Sequence, residues 1–91
     1  MDITIWDRDA TRISDIERNL RSAMKKLSVE GHITIMSEPP LLNRMGVIHR
    51  VPLLEINGMY WSLHVEETIP EADIIDLLRA LAHQQETIEH D

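Results

Sequence analysis

The chain has 91 residues, 43% of them hydrophobic, which suits one domain with a single core that needs no metal or cross-link. It has no cysteine, which excludes a disulfide, a thiolate nucleophile and Cys-ligated zinc or iron–sulfur sites, and fits a reducing compartment. A net charge of -7 argues against nucleic acid as a partner, and with no signal h-region at Met1 to Trp6 and no run near the roughly 20 apolar residues of a membrane span, a soluble, cytoplasmic protein without membrane contact is expected.

Ile3 and Ile5 alternate with Thr4 and Trp6, so the spacing predicts a first strand over Asp2 to Trp6. Asp7-Arg8-Asp9 reads as a short polar break, with Asp9 placed to cap the free amides of a following helix. From Ala10 to about Leu27, the residues Ile13, Ile16, Leu20, Ala23, Met24 and Leu27 fall within one arc of about 100°, the pattern of an amphipathic helix lying on a sheet. Glu17 and Arg21 stand in the favourable order for an i,i+4 pair. Gly31 closes the connection and His32 to Met36 is a second alternating strand. A helix of this length between two strands indicates a crossover and parallel pairing.

Ser37-Glu38-Pro39-Pro40 opens a short helix over Leu41 to about Met45, stopped by Gly46. The stretch from Arg50 to Trp61 reads as a hairpin on which the other segments pack. Pro52 forces an extended residue before it and belongs at the start of its strand, Leu53 to Ile56 is apolar, and Asn57-Gly58 supplies the positive-φ pair of a tight turn. A returning strand is predicted from Met59 to Val65. One of its faces carries Met59, Trp61, Leu63 and Val65; the other carries Tyr60, Ser62 and His64 and is polar enough to face solvent. Thr68-Ile69-Pro70-Glu71 has the form of a capping box. The helix behind it buries Ile74, Ile75, Leu77, Leu78, Leu81 and Ala82, and its packed part should end near Ala82. The domain is therefore expected over 1–83, with 84–91 an acidic, frayed or disordered extension.

Charge is unevenly spread. Residues 1–64 hold eight acids and eight bases, whereas 65–91 hold eight acids against Arg79 alone. That excess is either a solvated acidic helix face and tail or a docking surface for a basic partner.

The order β-α-β-α-β-β-α, with Val51-Pro52 opening the third strand, Asn57-Gly58 at the hairpin and Ile69-Pro70 before the last helix, resembles the minimal thioredoxin or glutaredoxin fold. Among its members the small thioredoxin-like redox-active disulfide proteins are the most similar in form. The resemblance runs from Ile3 to Leu81 and implies a three-layer α/β sandwich with a mixed four-stranded sheet. It also implies a cis bond at Val51-Pro52, whose backbone would face a bound peptide or glutathione. The family's Cys-x-x-Cys would fall near Ala10-Thr11-Arg12-Ile13, where this chain has no sulfur. Thiol–disulfide exchange needs a thiolate attacking a disulfide sulfur, and none is available.

Other chemistry is weakly represented. Thr11 and Ser14 are hydroxyls near a helix start, but the only base that could approach is the distant His49. The five histidines, His32, His49, His64, His83 and His90, lack a tight pair or a carboxylate cluster at ligand spacing, so no metal and no other cofactor is expected. Arg8, Arg12 and Arg50 could form an anion-binding corner, with Asp7 and Asp9 offsetting two of the charges.

The expectation is thus a non-enzymatic, thioredoxin-like protein-binding or assembly module. Its groove would be formed by Ala10, Thr11, Arg12, Arg50, Val51 and Pro52, and its edge strand would offer Tyr60, Trp61 and Leu63 to a protein partner or to a second copy in a homodimer. The alternative is a small-ligand domain of glutaredoxin type, binding a glutathione-like or anionic molecule with Glu67 and Thr68 contributing polar groups.

Overall fold

A computed structural model describes residues 1–44, 46 and 48–90, with the side chains of residues 44 and 84–90 outside the description. The elements are β1 (Asp2–Trp6), α1 (Ala10–Lys26), β2 (His32–Met36), α2 (Pro39–Arg44), β3 (Leu53–Ile56), β4 (Met59–Trp61) and α3 (Glu71–His90). They form an α/β domain with one mixed sheet in the order β2-β1-β3-β4. β1 runs parallel to β2, and the pairs β1/β3 and β3/β4 are antiparallel.

The pleat sorts side chains between two faces. Ile3 and Ile5 of β1 with Leu54 and Ile56 of β3 meet Ile16, Leu20, Ala23 and Met24 of α1 and Ile74 and Leu78 of α3 in the larger core. The opposite face carries Trp6, Val51 and Leu53, covered by Leu42 of α2. Each such Ile or Leu removed from water contributes roughly 1.5 to 3 kcal/mol, so both helical layers are held mainly by this burial. Trp6 belongs to the second face, where its ring lies 6.3 Å from Tyr60 and its Nε1 donates to Glu55 Oε1 at 2.9 Å.

Local chemistry explains the ends of the elements. Asp9 has an extended backbone, and its carboxylate accepts the Arg12 amide at 2.9 Å, capping α1 as expected. Glu17 and Arg21 pair at 2.9 Å. Gly31 is required by close approach: a Cβ there would lie 2.0 Å from the Met1 carbonyl oxygen. Asn57 and Gly58 both take positive φ, 52° and 82°, as the tight hairpin demands. Val51–Pro52 is cis.

Three boundaries differ from the sequence reading. α2 starts at Pro39, because the Glu38 carbonyl accepts the amides of both Leu41 and Leu42, and the two prolines fill first-turn positions that need no donor. The Met45 end expected for it lies outside the described residues. β4 stops at Trp61 instead of Val65, since Glu66, at φ 62°, donates its amide to the Val51 carbonyl at 2.9 Å and draws the chain off the sheet. α3 starts at Glu71, with the Pro70 carbonyl accepting the Ile74 amide. The Thr68–Glu71 exchange is absent among the described residues. The Glu71 carboxylate is instead bonded to Lys26 Nζ and to Ser22, and the charge-assisted bond to lysine is the stronger one. The packed side chains of α3 extend to Leu81, while its helical backbone continues to His90.

Candidate functional site

Two regions qualify, one at the N-terminal end of α1 and one along β4. At the first, Asp7 leaves the end of β1 and is fully buried. Its carboxylate accepts Arg12 Nε at 2.6 Å and Nη2 at 2.5 Å, together with the Arg8 amide at 2.8 Å. This is a two-pronged guanidinium–carboxylate contact, and Arg12 is itself only 13% exposed. The hydrogen bonds to Asp7 raise the Arg12 pKa above its ordinary value, with burial opposing them. Arg8 reaches across to Glu66 at 2.7 Å, a pair exposed on both sides and worth at most about 1 kcal/mol.

Glu66 is what ties this corner together. Its carboxylate holds Arg8 beside α1 and its amide holds the Val51 carbonyl. Val51 and Pro52 are buried, whereas Ala10, Thr11 and Arg50 are exposed. Of the groove residues expected from sequence, Ala10, Thr11 and Arg12 share the first turn of α1, and Val51-Pro52 is joined to that end through Glu66. Arg50 makes no ion pair among the described residues. Nor, among the described residues, does Thr11 hydrogen-bond to His49. Arg8 and Arg12, two members of the expected anion corner, are each matched by a carboxylate on the protein itself.

The second region starts from the position of β4 at the sheet edge, where one side of the strand has no partner among the described residues. Trp61, opposite Leu54, points to the face covered by α1 and α3 and packs on the larger core. Its Nε1 is buried and has no hydrogen-bond partner among the described residues; an unpaired buried donor of this kind costs roughly 1 to 3 kcal/mol. Tyr60 points to the other face. There it is half-buried against Trp6, not turned to solvent as the alternation suggested. Met59, Leu63 and Val65 are 55%, 46% and 56% exposed, and with Ile35 on the opposite edge they are the large hydrophobics left outside among the described residues.

Beside this strip lies a cavity of about 190 Å³. Leu54 forms part of its wall, Trp61 and Leu63 bound it on one side, and Asp73, Ile74 and Leu77 of α3 on the other. Sequence reading found the apolar strip. It missed the cavity, which depends on how α3 docks, and, although it set Asp7 against the corner arginines, it missed the burial of Asp7 and its two-pronged bond to Arg12, which spans a strand end and a helix start instead of one helical turn.

Among the described residues no cluster of three metal-ligating side chains occurs, and no helix is long and apolar enough to cross a membrane. No family model, no curated protein and no solved structure matches the chain.

Proposed function

We propose that the chain is a non-catalytic, thioredoxin-like module that holds a protein partner along its β4 edge. The thioredoxin-like reading is supported by the element order and by helices covering both faces of a mixed sheet. The stretch Ala10 to Ile13, where that fold carries its reactive cysteines, has none, and Ile13 is instead buried in packing. With no cysteine anywhere in the sequence, no thiolate is available for thiol–disulfide exchange.

The observation carrying the binding role is the coincidence of an unpaired edge at Met59–Trp61, three exposed apolar side chains at Met59, Leu63 and Val65, and an apolar cavity that Trp61 and Leu63 bound together with Leu54 and α3. Exposed apolar side chains beside an open sheet edge and an apolar cavity are the features that a strand-adding partner uses. The α1 corner is the poorer candidate, because Asp7 and Glu66 already occupy Arg12 and Arg8, leaving only the exposed Arg50, and the Glu66 amide already occupies the Val51 carbonyl. That is the physical ground for preferring a protein partner over an anionic small ligand.

The test is photo-cross-linking in the native host, with a photoreactive amino acid replacing Met59 and, as control, Arg18 on exposed α1. A discrete adduct from position 59 and not from 18 is the expected result, and an adduct at twice the chain mass would assign the edge to self-assembly. Equal adducts from both positions, or none from 59, would refute the proposal.

A further inference from the structure

The charge around the edge goes further and selects among partners. Glu66 and Glu71 are already paired, with Arg8 and Lys26. Asp73, on the cavity wall, and Asp76, three residues on and thus on the same side of α3, have no ion pair among the described residues. Between residues 65 and 91 only Arg79 offsets eight acids. A second copy placed on this edge would bring like charges together, which disfavours the pairing.

We infer that the β4 edge takes an extended, basic segment of another protein: its backbone adds a strand to β4, one apolar side chain enters the cavity between Trp61 and Leu77, and flanking lysine or arginine side chains meet Asp73 and Asp76. This rests on the edge-binding role proposed above and adds the chemistry of the partner. Strand addition draws affinity from main-chain hydrogen bonds and specificity from alternate side-chain pockets. The edge supplies the unpaired backbone, and the cavity supplies the pocket. A small rotation of the Trp61 indole on binding would offer its unpaired N–H to a carbonyl of the incoming segment, converting an unsatisfied donor into a satisfied one. The Trp6 indole, already bonded to Glu55 on the other face, has no such gain and serves as an internal control.

The experiment selects displayed random decapeptides against the full chain, then titrates synthetic versions of those enriched into 15N-labelled protein. Enriched peptides are expected to carry Lys or Arg within two residues of an apolar anchor. On binding, the Trp61 indole N–H and the amides of 59–65 should shift while the Trp6 indole stays still. The double variant Asp73→Asn, Asp76→Asn should weaken binding about tenfold, the combined effect of two charge pairs at half-buried Asp73 and exposed Asp76. That difference should shrink between about 50 and about 500 mM salt as the charges are screened. Enriched peptides without basic residues, or binding that ignores the double variant, would overturn the basic-segment inference and leave edge docking standing. Peptides that shift Ala10 to Arg12 and Val51 instead would overturn both, whereas no enriched peptides from a chain that sediments as a dimer would overturn the basic-segment inference and give the edge to a second copy. No enriched peptides from a monomeric chain would overturn the extended-segment inference.

Discussion

Replacing Arg12 with methionine isolates the buried pair at the start of α1. Asp7 is fully buried, and after the change it keeps the Arg8 amide at 2.8 Å and a long contact to the Asp9 amide at 3.4 Å, with no positive partner among the described residues. Methionine preserves most of the aliphatic stem, so little packing is lost. The loss is the charge partner of a buried carboxylate, worth about 3 to 5 kcal/mol. Set against a total of about 5 to 15 kcal/mol for a domain, this is a large fraction. At roughly 1 kcal/mol per molar urea for a chain of this size, the unfolding midpoint should fall by about 3 M or more. Asp7→Asn should cost less, about 1 to 2 kcal/mol, because the amide oxygen still accepts from Arg8 and the Arg12 side chain can swing to water. Combined with Asp7→Asn, Arg12→Met should cost far less than the sum of the two, since the buried charge is gone. Urea denaturation followed by tryptophan fluorescence reads all four states. An Arg12→Met protein within about 0.5 kcal/mol of the parent would show that the pair is not shielded, and the picture of a corner closed on itself would fail.

Three further outcomes are expected. Trp61→Glu places a carboxylate against the α1/α3 core and should destabilise the fold by about 3 kcal/mol or more, whereas Leu63→Asp on the exposed strip should leave stability within about 0.5 kcal/mol and abolish the cross-link from position 59; thermal unfolding separates them, and a Trp61→Glu protein of parental stability would show that the indole is not packed. Glu71 has its pKa lowered, first by the hydrogen bond to Lys26 and then by Ser22, so its contribution to stability is present above the ordinary carboxylate range and is lost as pH falls through the lowered folded-state value; Glu71→Gln should flatten the acid limb of stability between pH 7 and about 3, and an unchanged slope in urea midpoints would contradict this. Ile13→Cys should cost about 1 to 3 kcal/mol, as Ile13 is buried, while exposed Ala10→Cys should change stability by less than about 0.5 kcal/mol; equal effects of the two changes in chemical denaturation would show that Ile13 is not core.

The fold was legible wherever its cause is local. β1 and β2 follow from alternation, β3 from a short apolar run after Pro52, and the start of α1 from a 3.6-residue apolar period and one capping aspartate, all readable within a few residues. The Asn57-Gly58 turn is fixed by the φ values that it needs. Legibility stopped where a distant bond decides. Ser62 to Val65 continues the alternation of a strand, yet leaves the sheet because Glu66 bonds to Val51, fifteen residues back. Thr68 and Glu71 have the right spacing for a capping box, but Lys26, 45 residues away, competes for the carboxylate. The site divides in the same way. The apolar edge at Tyr60, Trp61 and Leu63 was visible as composition, whereas the burial of Asp7 and the Trp61–Leu77 cavity arise only once α1 and α3 are docked on the sheet.

The central claim is that the partner surface is the β4 edge and not the corner at α1. Amide hydrogen exchange on the free chain and on the cross-linked or peptide-bound complex tests it directly. Protection gained on binding should be confined to residues 59–65 and the 73–77 face of α3, with 8–12 and 51–52 unchanged. Protection appearing instead at 8–12 and 51–52, with the edge unaffected, would contradict the account.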